Sequence, residues 1–145
     1  MRHLIILIVF LSALTSCHFI EMSDNGDLDG YWQMTQVDTI ATWHSTDMRD
    51  SLFFWAVQMD VLAVREGNDM YYDDIIFHFM HASDSLVIFN PHINNRDSSD
   101  IKVTTPEILQ RYGIYGLRQS FYVEQLSSSK MILHNRLLRL HFRKY

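Results

Sequence analysis

The chain has 145 residues, 12 lysines and arginines against 17 acidic residues, and a formal net charge of −5. That length fits one domain of about 100–200 residues, and 48% hydrophobic with 13% aromatic residues is enough to build a packed core. The acidic balance argues against nucleic acid as a partner, one cysteine excludes a disulfide framework and a cysteine-only zinc site, and two prolines with five glycines exclude low-complexity classes.

Residues 1–17 read MRHLIILIVFLSALTSC. Arg2 and His3 precede an unbroken apolar run from Leu4 to Leu11. A bilayer core of ~30 Å needs ~20 such residues as a helix, so the run is too short to span. It has the length of the apolar region of an export signal. Leu14-Thr15-Ser16-Cys17 resembles the bacterial lipobox, in which a leucine three residues before a cysteine is followed by small residues. The resemblance implies a lipoprotein signal peptide over 1–16, lipidation of the Cys17 thiol, and a tether over 17–29. Several acyl chains on one residue anchor stably, so the membrane is an expected partner. His18, not Asp, follows the cysteine. By resemblance to Gram-negative sorting this favours the outer membrane, on its periplasmic or surface face. Glu21, Asp24, Asp27 and Asp29 form an acidic stretch. It reads equally as a solvated tether or as a patch resembling surface-export signals.

From Tyr31 onward β-forming residues dominate. The expected strands are 31–38, 51–65, 70–82, 85–90, 100–104, 118–126, 129–135 and 137–144. Clusters such as Glu66-Gly67-Asn68-Asp69 and Ala82-Ser83-Asp84-Ser85 separate them. Alternation is clearest at the end, where Leu138, Leu140 and Phe142 point one way and Arg139, His141 and Arg143 the other. Phe53, Trp55, Val57, Met59 and Val61 repeat the period in the longest segment. One short helix is expected near 105–112. Thr104 or Thr105 caps it, Pro106 suits its first turn, Glu107 favours its positive end, and Gly113 ends it. Eight strands joined by short turns imply an all-β fold. A single antiparallel up-and-down β-barrel over 30–145 removes exposed edges. Periodicity alone leaves a two-sheet sandwich open.

Gly30-Tyr31-Trp32 matches the Gly-x-Trp that opens the first strand of lipocalins. The ending, from Leu126 through Met131-Ile132-Leu133 to Leu138-Arg139-Leu140-His141-Phe142-Arg143-Lys144-Tyr145, is similar to the last hairpin of small bacterial lipocalin-like lipoproteins. In lipocalins the tryptophan closes one barrel end, and a basic residue of the last strand packs over it. The resemblance therefore assigns barrel closure to Gly30 and Trp32, with Arg139 or Arg143 over the indole. The middle of the chain lacks the other lipocalin motifs.

Catalytic signals are absent: no Gly-x-Ser-x-Gly, no catalytic cysteine, no glycine-rich phosphate loop. No enzyme activity and no cofactor are expected. No metal site is expected either. His78 and His81 fall on opposite strand faces, and no His-Glu-x-x-His spacing occurs. Asp73-Asp74 sends one carboxylate each way, and Asp38, Asp60 and Asp74 stay open as a polar interior cluster. The aromatic residues Phe54, Trp55, Tyr72, Phe77 and Phe79 are the pocket candidates. The leading expectation is non-catalytic binding of a small hydrophobic or amphiphilic ligand inside the barrel. The alternative is a ligand-free interaction module with a protein partner in a cell-envelope complex.

Overall fold

In the last strand Leu138, Leu140 and Phe142 are buried while Arg143 is exposed, the two-residue period of a sheet with one face on a core. The same period recurs throughout the computed structural model, which describes residues 23–67, 74–95 and 97–145. The strands are β1 (Gly30–Thr39), β2 (His44–Asp47), β3 (Phe53–Gln58), β4 (Val61–Glu66), β5 (Ile75–Ala82), β6 (Ser85–Ile93), β7 (Ile101–Lys102), β8 (Arg118–Leu126), β9 (Lys130–His134) and β10 (Leu138–Lys144). All pairings are antiparallel. Their order runs β1, β3, β4, β5, β6, β8, β9, β10, and β10 pairs back onto β1 from Trp32↔Lys144 to Thr39↔Leu138. The result is a closed eight-strand barrel with very little helix.

Two of the eight ring positions are interrupted. β3 pairs Gly30 to Gln33 of β1, and β2 continues the same side along Gln36 to Thr39. Likewise β8 pairs Ser85 to Phe89 of β6, and β7 continues at His92 and Ile93. A bulge in β1 between Met34 and Gln36 shifts the phase of the strand. Trp32 and Met34 point inward before it and Val37 packs on the core after it, which leaves Gln36 and Asp38 outside.

The expected single strand over 51–65 is in fact the β3–β4 hairpin. Met59, read as part of the alternation, stands in the turn at φ 55. Its carbonyl accepts a hydrogen bond from Asn25 Nδ2 at 2.7 Å, and its N–H donates to Ser23 Oγ at 2.7 Å. The reversal is fixed by a distant segment, so the local pattern runs through it. Strand β2 was not expected, and β6 extends three residues past the expected 85–90. The expected helix is a 3-10 turn, Glu107–Tyr112, which follows Pro106 without a side-chain cap from Thr104 or Thr105. Gly113 ends it at φ 78, and a Cβ there would lie 2.9 Å from two carbons of Leu140.

Buried side chains from opposite sides of the ring meet inside the barrel. β3 and β8 hold the second and sixth of eight places, opposite each other in the ring. Even so, the Trp55 ring meets the Phe121 ring at 5.6 Å between centroids and the Phe142 ring at 5.0 Å. Leu62, Val64, Phe77, Leu86, Ile88, Met131 and Leu133 complete this layer. Buried Val103, Leu109, Tyr112 and Ile114 come from the segment between β7 and β8 and pack over one end. Leu28 and Trp32 are fully buried at the other.

Candidate functional site

Trp32 enters the core from the start of β1. Its Nε1 donates to the Leu28 carbonyl at 2.8 Å, which fixes the 3-10 turn Gly26–Leu28 beneath the barrel. The cation over its ring is Lys144, with Nζ 4.7 Å from the centroid and donating to the Asp27 carbonyl at 3.0 Å. The expectation of Arg139 or Arg143 is thereby corrected. Both point outward: Arg139 pairs with Glu124, and Arg143 donates to Gln33 Oε1 at 2.8 Å. The alternation along β10 already carried the answer. Inward residues have even numbers there, so the cation facing an inward Trp32 is Lys144, its direct partner in register. Gly30 has φ 128, and a Cβ would stand 3.0 Å from Lys144 Cε. A glycine two residues before the tryptophan lets the lysine cross.

The four described pocket candidates do not line one hollow. Trp55 and Phe77 are part of the packed interior. Phe54 faces outward and is buried under Tyr31, stacked at 4.7 Å, and Tyr145 at 5.5 Å. Phe79 is half-buried against the core, and Tyr72 lies outside the described residues. Cys17 and the segment 1–16 lie outside them too. Trp55 Nε1 is buried with no hydrogen-bond acceptor among the described residues.

A concavity of about 770 Å³ opens instead on the outside, over β8. Tyr122 and His134 stand side by side on its floor, ring centroids 5.0 Å apart. Leu137, 53% exposed, forms one wall, and Arg136 stands at the rim with no partner among the described residues. Two further lining amides are already committed. Gln119 accepts from the Tyr115 N–H at 2.6 Å, and Asn135 Oδ1 accepts from Leu137 and Leu138 at 2.8 and 2.9 Å. They shape the cleft, which otherwise offers an apolar and aromatic floor, the Arg136 guanidinium, the Asp84 carboxylate and the hydroxyls of Ser85 and Ser120. Sequence reasoning missed these residues because three elements bring them together. The signal was Tyr122, an aromatic at an outward position of β8.

On the outer seam of β1 and β10 lies a denser polar group. Asp38 accepts from Ser45 Oγ at 2.6 Å, Gln36 Nε2 at 2.7 Å and His141 Nε2 at 2.7 Å. Burial pushes its pKa up, but hydrogen bonds from Ser45, His141 and Gln36 outweigh this and hold it at about 2, against an ordinary 3.8. Serine, histidine and aspartate meet here without the wiring of a nucleophile. The Ser45 hydroxyl donates to the carboxylate and not to the imidazole. Asp60 is exposed in the β3–β4 turn and Asp74 pairs with Arg65, so the three aspartates left open as an interior cluster do not meet. Among the described residues no group of three histidine, cysteine, aspartate or glutamate side chains is placed to hold a metal, and no helix is long and apolar enough to cross a membrane.

The family described as a lipocalin-like domain matches residues 12–145. A lipocalin-like protein from Bacteroides uniformis superimposes with a TM-score of 0.62 at 21% identity, over 83% of this chain and 100% of its own. An uncharacterized protein from Bacteroides eggerthii does so with a TM-score of 0.53 at 16% identity, over 81% and 98%. At these identities the two structures speak for the fold alone. No curated protein matches. A lipocalin-like barrel is typically a small-molecule-binding, non-catalytic scaffold. With the matched span, the closed eight-strand barrel and a Trp32–Lys144 closure following Gly30, the chain belongs to the lipocalin-like domain family.

Proposed function

We propose that the chain is a non-catalytic binding protein of the cell envelope, anchored to the outer membrane through an acylated Cys17. Its ligand is a small amphiphilic molecule, held in the cleft over β8 and not inside the barrel. The observation that carries this reading is the contact of Trp55 with Phe121 across the ring, which leaves the apolar surface for a ligand outside. Tyr122 and Leu137 offer a face for its apolar part, and Arg136 and Asp84 offer one charge of each sign for its polar head. Native mass spectrometry of the chain from cell extract tests it. A co-purified mass on the order of a few hundred daltons is expected, the size of a drug-sized ligand in a cleft of this kind. Leu137→Asp is expected to remove it and Phe77→Leu, in the barrel interior, to retain it; the reverse pattern sinks the reading. The anchor has a separate test, since Cys17→Ser is expected to abolish labelling by a fatty-acid probe.

A second reading, contact with an envelope protein, is favoured by Trp43. It is 81% exposed at φ 54, and its turn adjoins the cleft wall through the Ile40 N–H, which donates to the Leu137 carbonyl at 2.9 Å. Cross-linking that depends on Trp43, with no co-purified small molecule, would select it.

A further inference from the structure

Gln33 sits on the outward side of β1, yet it is only 2% exposed. Its Oε1 accepts from Arg143 Nε at 2.8 Å, and its Nε2 donates to the Arg49 carbonyl at 2.9 Å. Both ends of the amide are used, so its orientation is fixed and it fixes Arg143 in turn. Arg143 is in direct register with Gln33 on one side and with Lys130 on the other. Like charges directly opposite in an antiparallel pair, with Cβ atoms ~5 Å apart, repel. Neither Arg143 nor Lys130 has a carboxylate within ion-pair distance among the described residues, whereas Arg49, Arg65, Arg111 and Arg139 each have one.

Arg143 also borders a notch of about 500 Å³. The notch exists because β2 stops at Asp47, β3 begins at Phe53, and β1 bulges beside the gap. Arg49 stands across it, its guanidinium turned to Asp47 and also attracted by Asp50. With Nε tied to Gln33, the two terminal amino groups of Arg143 are the donors left to face outward. A pre-oriented guanidinium beside an ammonium is the arrangement that takes a phosphate.

This row lies at the barrel end where the described chain begins. The Lys144 N–H donates to the Ser129 carbonyl at 2.9 Å in the β8–β9 turn before Lys130. Ser23 meets the β3–β4 turn at the same end. Cys17 precedes Ser23 by six residues, a reach of ~20 Å when extended.

We propose that Arg143 and Lys130, with Gln33 as the positioning residue, form a phosphate-binding row, and that in the anchored protein it takes the headgroup phosphate of anionic phospholipids. The lipid half of the proposal rests on the Cys17 anchor. The full-length chain carrying Cys17→Ser, in non-ionic detergent, is titrated calorimetrically with dihexanoyl phosphatidylglycerol and, separately, with inorganic phosphate. Saturable binding of both is expected, weakening with added salt. Arg143→Gln and Lys130→Gln are each expected to weaken it about tenfold. Gln33→Leu is expected to weaken it severalfold with Arg143 still present. Lys130→Gln removes a like-charge contact, so its unfolding midpoint is expected to hold or rise, which separates lost binding from lost folding. No saturable binding, or binding undiminished in Arg143→Gln and Lys130→Gln, overturns the proposal. Binding of inorganic phosphate without the phospholipid overturns its lipid half. None of these outcomes touches Cys17 acylation, which the fatty-acid probe reads on its own.

Discussion

Trp32 and Trp55 form a matched pair for asking what a buried indole N–H contributes. Both side chains are fully buried and both contact the same core. They differ chiefly at the indole nitrogen: Trp32 Nε1 donates to the Leu28 carbonyl at 2.8 Å, and Trp55 Nε1 has no acceptor among the described residues; Trp32 also lies under Lys144. Replacing either by phenylalanine removes the fused ring portion, a packing loss of about 1–2 kcal/mol. For Trp55→Phe that loss is offset, because a desolvated donor without a partner costs about 1–3 kcal/mol and disappears with the substitution. For Trp32→Phe the terms add. The hydrogen bond goes, about 1 kcal/mol net, the Leu28 carbonyl is left unpaired, and the Lys144 contact over the larger ring weakens by about 0.5–1 kcal/mol. The expected costs are about 3–5 kcal/mol for Trp32→Phe and at most about 1 kcal/mol for Trp55→Phe, which at the other limit gains about 2 kcal/mol. Urea unfolding followed by far-ultraviolet circular dichroism measures both without relying on indole fluorescence. Equal costs would refute the reasoning, since they would mean that the N–H partner does not decide the difference.

Asp38→Asn is expected to cost about 1–2 kcal/mol near neutral pH, from a pKa lowered to about 2 on a side chain 14% exposed. A depressed carboxylate stabilises above its unfolded pKa, so the wild type should lose this contribution between pH ~4 and pH ~2 while the variant does not. Acid titration of the urea midpoint reads the difference. Gly113→Ala combines a positive φ of 78 with a clash against buried Leu140, and a loss of at least about 1–2 kcal/mol is expected in the same unfolding assay. Lys144→Met is expected to destabilise more than Arg139→Met. Lys144 covers Trp32 and holds the Asp27 carbonyl, whereas Arg139 makes a solvent-facing pair with Glu124 worth about 0–1 kcal/mol. Equal losses would show that the last-strand cation over the indole does not matter for closure.

The barrel was legible because strand alternation and short turns are local. β8, β9 and β10 lie close to their expected bounds. Local reading failed where a distant segment decides. The β3–β4 reversal at Met59 is held by Ser23 and Asn25, and β2 exists only as a continuation along β1. Gly30 and Trp32 announced the barrel end, yet the basic partner was misplaced by one position of strand parity. Neither the cleft nor the phosphate row was readable. Tyr122 meets His134, and Gln33 meets Arg143, only once the strands are in register.

The interrupted ring positions give the barrel a preferred direction of deformation. Among the described residues β2 and β7 each pair with a strand on one side only, and they sit on opposite sides of the ring, on the second and sixth places. The rim that carries them is therefore softest along a single diameter, while the rim at Trp32 is laced without a break from β10 through β1 to β3. Squeezed or heated, such a cylinder ovalises at one mouth and stays round at the other. Amide exchange should follow suit, fast in β2 and β7 and slow in the first half of β1.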